Sequence, residues 1–80
     1  MQTAEWERLN AGCARALDNF TYEAEATCRV LAGIRHFPMS LDDRSVLALQ
    51  RSAEIVALNS YLNLHQRLCQ FATGSFAPQL

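Results

Sequence analysis

Residues 35–43 read Arg35-His36-Phe37-Pro38-Met39-Ser40-Leu41-Asp42-Asp43, and the fold turns on this stretch. Pro38 disfavours a helical conformation at Phe37, so a helix arriving from the N-terminal side must stop there. Arg35 and His36 would place positive charge at its negative end. Ser40 with Asp43 three residues on resembles a capping box, with Asp in place of the usual Glu, and so predicts a second helix from Leu41.

On either side the chain is free of breakers. Thr3 to Arg35 contains no Pro and two Gly; Leu41 to Ala72 contains neither. At ~1.5 Å per residue each segment is a rod of roughly 50 Å. Two rods of matched length and a short connection predict an all-α antiparallel hairpin: one domain over 1–80, with helix 3–35, turn 36–40, helix 41–72 and tail 73–80. Gly74 is the expected C-terminal stop, and Phe76 could fold back from the tail. In antiparallel register, facing positions have numbers that sum to about 76, which sets Trp6 at the level of Gln70 and Phe71.

In the first helix, a seam is expected from Thr3, Asn10, Leu17, Ala24 and Leu31 with Trp6, Cys13, Phe20, Thr27 and Ile34. Leu9, Ala16 and Val30 flank it, and Asn10 is its weak spot. The second helix is apolar over a much wider arc. Val46, Leu49, Ala53, Val56, Ala57, Leu64, Leu68 and Phe71 form the flank expected to meet the first helix. Leu47, Leu58, Tyr61, Leu62 and Cys69 form a second flank. A helix facing one neighbour needs a stripe of somewhat over 100°, and this one is nearer twice that. Leaving four or five such side chains in water would cost roughly 5–10 kcal/mol, most of a small domain's stability. The expected remedy is a homodimer in the form of a four-helix bundle, or a larger protein partner. The expected interface is Leu47, Arg51, Glu54, Leu58, Tyr61, Leu62 and Cys69, with Arg51 and Glu54 as an orienting ion pair and Tyr61 as anchor.

Composition narrows the function. Half the residues are hydrophobic, 19% are charged and the net charge is −1, too neutral for binding nucleic acid through bulk charge. All seven cations are Arg, and Ala and Leu abound, a usage suggestive of a bacterial or phage protein. Residues 1–43 carry seven acids and four Arg; residues 44–80 carry one acid and three Arg. Cys13, Cys28 and Cys69 are odd in number and lack C-x-x-C spacing, so buried reduced thiols are expected, not disulfides or zinc. His36 and His65 lack ligand-spaced neighbours, and His65 reads as a semi-buried interface residue. No metal, cofactor or enzymatic role is expected. The first residues contain no basic segment ahead of an apolar run, and no stretch is long enough for a bilayer, so a cytoplasmic protein is expected.

Three architectural resemblances bear on function. Arg8, Arg15, Tyr22, Arg29 and His36 form a basic outward row with one aromatic. In outline the hairpin resembles the Rop-type plasmid-copy-control proteins, dimers of two-helix hairpins that bind RNA. Acids at local ion-pair spacing interrupt this row, the pattern of a solvated helix face. Asp42-Asp43-Arg44 with Gln66 and Gln70 is similar to the all-helical chorismate mutases, whose dianion site needs a lysine that this chain lacks. Size and layout also resemble the helical-hairpin co-chaperones of type III secretion. The sequence-level expectation is a small non-enzymatic interaction protein, a regulator or inhibitor of a larger protein of the anti-activator or anti-CRISPR type, acting through an apolar helix face. The alternatives are a secretion-chaperone-like adaptor and a Rop-like RNA-binding dimer.

Overall fold

The computed structural model describes residues 3–74, which form two helices and no strand. The first, α1, spans Thr3–Ala32, and the second, α2, spans Leu41–Thr73. They pack against each other as an antiparallel hairpin. Among the described residues no helix is long and apolar enough to cross a membrane.

The chain leaves α1 three residues earlier than the sequence suggests. The Gly33 amide still donates to the carbonyls of Arg29 and Val30, and that of Ile34 to Leu31, but the helix goes no further. Glycine costs about 1 kcal/mol relative to alanine inside a helix, and Pro38, within the connection, disfavours helix at Phe37. Arg35 and His36 therefore lie in the connection, and Arg29 is the cation in the last turn of α1. At the far side of the turn, Ser40 is extended and its hydroxyl accepts from the Asp43 amide at 3.0 Å, the N-cap anticipated from the sequence. Asp42 and Asp43 complement the positive end of the α2 dipole. Gly74 closes α2 in the left-handed conformation, φ 72°, with its amide turned back to the carbonyls of Gln70 and Phe71. The tail beyond Gly74, including Phe76, lies outside the described residues.

The register agrees with expectation. Glu23 meets Gln50, Thr27 meets Glu54, and the Trp6 and Phe71 rings lie 6.1 Å apart at the open end. The facing sides do not all agree. In α1 the row Cys13, Phe20 and Thr27 does face inward, with Cys13 and Thr27 buried, and Ile34 just beyond the helix is half-buried. Its companion is the expected flank, Leu9, Ala16 and Val30, joined by Glu23. Asn10, Leu17 and Leu31, expected in the seam, are exposed, and Ala24 is half-buried. In α2 the inward rows are Leu47, Glu54, Tyr61 and Leu68 beside Gln50, Ala57, Leu64 and Phe71. Val46, Leu49, Ala53 and Val56, expected to meet α1, face water; Leu49 is 74% and Val56 67% exposed. Both helices are rotated by about one row, because polar residues on each are hydrogen-bonded across the contact line.

The hairpin is a single layer. Its extents are 56 × 26 × 13 Å, and its radius of gyration is 17.7 Å where a globular chain of this length has about 12 Å. Among the described residues no large side chain is fully buried, and the buried apolar set is Leu9, Cys13 and Ala57. The N-cap is a local element that can be tested alone. Ser40→Ala is expected to lower stability by about 1 kcal/mol in urea titration without changing the helix content before the transition.

Candidate functional site

Halfway along the hairpin, where two apolar rows would be expected to meet, stand five polar residues. The Thr27 hydroxyl, 6% exposed as a residue, donates to Glu54 Oε1 at 2.8 Å and lies 3.2 Å from the Glu23 carbonyl in its own helix. Gln50 Nε2 donates to the Glu23 carbonyl at 3.0 Å and to Glu23 Oε1 at 2.9 Å. Arg51 approaches Glu54 Oε1 at 2.9 Å from the solvent side. The Glu54 side chain is 16% exposed, so it is held within the helix pair and not at an outer rim. The Thr27 hydroxyl and the Arg51 guanidinium hold its carboxyl below the ordinary value, against desolvation, which acts the other way.

Such a cluster fixes register. Sliding one helix past the other would break the Thr27–Glu54 and Gln50–Glu23 hydrogen bonds, leaving Thr27 only the Glu23 carbonyl and Glu54 only Arg51, whereas apolar contacts alone would tolerate a slip. Among the described residues no buried side-chain oxygen or nitrogen lacks a partner. From the sequence, Thr27 was named only as a seam position, and Glu23 and Gln50 were not singled out. The available signal was the coincidence of polar residues in the apolar rows of both helices at one level.

The expected interface is thus divided. Glu54, Leu47, Tyr61 and Leu58 are half-buried, and Leu47, Glu54 and Tyr61 lie in the inward rows. Arg51, Leu62 and Cys69 are exposed. Assigning all seven to an outer flank is corrected for Leu47, Glu54 and Tyr61, which α1 covers. Tyr61 stacks on His65 with ring centroids 5.5 Å apart, and His65 itself is exposed rather than semi-buried. Cys69 Sγ lies 3.9 Å from both His65 ring nitrogens. Cys28 and Cys69 are exposed thiols, against the expectation of burial, while Cys13 is buried. Among the described residues no three His, Cys, Asp or Glu side chains gather at metal-binding distance.

Helical geometry then shows what the hairpin leaves uncovered. Both helices are right-handed and run oppositely, so rows rotated in the same sense from the contact line emerge on the same face. One face carries Asn10, Leu17, Ala24 and Leu31 from α1, with Ala48, Arg51, Ile55, Leu58, Leu62, His65 and Cys69 from α2. Leu31 and Leu62 are each 50% exposed there, and Leu17 and Ile55 only slightly less. The opposite face carries Val46, Leu49, Ala53 and Val56 from α2, but α1 contributes Gly12, Asn19 and Ala26 beside the basic row. In that row Arg8 is paired with Glu5 at 2.8 Å, while Arg15, Tyr22 and Arg29 are exposed.

The polar cluster carries a pH prediction. A carboxyl whose folded pKa is depressed contributes stability fully above its unfolded value, near 4.5, and loses it as pH falls through the folded value. The urea midpoint is expected to fall on acidification through this range, and Glu54→Gln to flatten that fall. A fall of unchanged size in Glu54→Gln would remove Glu54 from the account. Comparison of the chain with protein-family models, with curated proteins and with solved structures finds no match.

Proposed function

We propose that this protein is a non-enzymatic protein–protein interaction module of the bacterial or phage cytoplasm, which self-associates as a four-helix bundle and regulates or inhibits a larger protein. The observation that carries the reading is the large apolar side chains facing water on both helices of a hairpin with no large, fully buried side chain among its described residues. Each Leu, Ile or Val buried contributes about 1.5–3 kcal/mol, so covering these side chains is a driving force comparable to the whole stability of a domain this size. The face shared by α1 and α2 serves self-association. The flank of Val46, Leu49 and Val56, which α1 does not extend with large apolar residues, is left to meet the regulated protein as a helix face in a groove.

The two roles separate experimentally. In light scattering, Leu17→Asp combined with Leu62→Asp is expected to reduce the particle to the 9.0 kDa chain, weakening assembly at least about a thousandfold. Leu49→Asp with Val56→Asp is expected to preserve the assembled mass while abolishing capture of the target protein. An unchanged mass in the first variant would contradict self-association through this face.

A further inference from the structure

We infer that the uncovered face common to α1 and α2 is covered by a second copy of the chain, packed across a two-fold axis perpendicular to the hairpin's length, with the two turns at opposite ends. This rests on the self-association proposed above and goes beyond it by assigning the face, the axis and the facing residues.

Four observations converge. The first is area: a face of two helices, ~45 Å long and ~20 Å wide, offers roughly 900 Å², against about 800 Å² per partner in a standard stable interface. Second, the rows that make this face contain no acidic residue; of their two cations Arg51 already has Glu54 as a partner at 2.9 Å, and Arg44 stands near the turn. With the two turns at opposite ends, the Arg44 side chains of the two copies are kept far apart and do not repel.

The third observation is size complementarity. The outward row of α1 reads Asn10, Leu17, Ala24, Leu31, and that of α2 reads Leu41, Ala48, Ile55, Leu62, Cys69. Reversed on themselves, both rows set large against small everywhere but on the axis. Leu17 falls over Ala24 of the second copy, and Leu31 over its Asn10. Leu62 falls over Ala48 of the second copy, Leu41 over its Cys69, and Ile55 over Ile55 on the axis. Alternation of large and small residues is what lets facing layers interdigitate. Fourth, the two centres of reversal agree. The α1 row reverses between Leu17 and Ala24 and the α2 row at Ile55. Averaged over the Glu23–Gln50, Thr27–Glu54 and Trp6–Phe71 pairs, the register places these points within about half a helical turn of each other. One axis therefore satisfies both helices. The opposite arrangement, with turns together and α1 over α2 of the second copy, sets Leu17 against Leu58 and Leu62, large against large.

The test uses the unmodified chain. In a sample mixed from isotope-labelled and unlabelled protein, isotope-filtered NOEs are expected between the methyls of Leu17 and Ala24 and between those of Leu62 and Ala48. Independently, spin labels at His36→Cys in a chain with Cys13→Ala, Cys28→Ser and Cys69→Ala should lie about 45–50 Å apart across the dimer, against about 20 Å or less with turns together. A dimer showing Leu17 contacts to Leu58 and Leu62, or a short label distance, would overturn this axis while leaving self-association standing. A folded monomer would overturn both. A dimer joined through Val46, Leu49 and Val56 would overturn the assignment of the face.

Discussion

A sheet of protein one helix thick cannot enclose a side chain. Two helices in contact share one line of burial, and everything rotated more than about a quarter turn from it meets solvent on one face or the other. That constraint governs this hairpin. Its described residues bury Leu9, Cys13, Ala57 and Thr27, and it exposes larger apolar groups than any of these. The apolar content of the sequence is therefore allocated to surfaces that the single chain does not close.

Against this background the polar cluster at mid-hairpin has a clear physical role. Apolar contact along a narrow line is nearly indifferent to a shift of one helix along the other. Hydrogen bonds from Thr27 to Glu54 and from Gln50 to Glu23 are not, because each has one geometry. They also turn the helices. With Glu23, Thr27, Gln50 and Glu54 held on the contact line, Leu17 and Leu31 are carried to one face and Val46, Leu49 and Val56 to the other. Specification of the pair thus displaces grease to the surface, where it is free to specify an assembly.

Much of this was legible in the sequence, and for identifiable reasons. The turn, the Ser40 cap and the Gly74 stop are local events set by the conformational limits of Pro, Ser and Gly, so neighbouring residues suffice to read them. Register followed from equal rod lengths. The excess apolar arc of α2 was also visible, since it is a property of one helix alone. What escaped was rotation. Choosing between adjacent rows requires knowing which polar side chains find partners on the other helix, and Glu54 read as half of an interface ion pair until Thr27 was placed beside it. The error has a pattern: an apolar row such as Asn10, Leu17, Ala24 and Leu31 reads as core whether or not the other helix of the chain covers it.

The claim most exposed to test is that folding and association are one process in this protein. Chemical denaturation followed by circular dichroism over a wide range of chain concentrations measures that linkage directly. If the proposed assembly forms, it closes the core, and the urea midpoint should climb steadily as concentration rises. A midpoint independent of concentration, in a helical particle that sediments at 9.0 kDa throughout, would contradict the account.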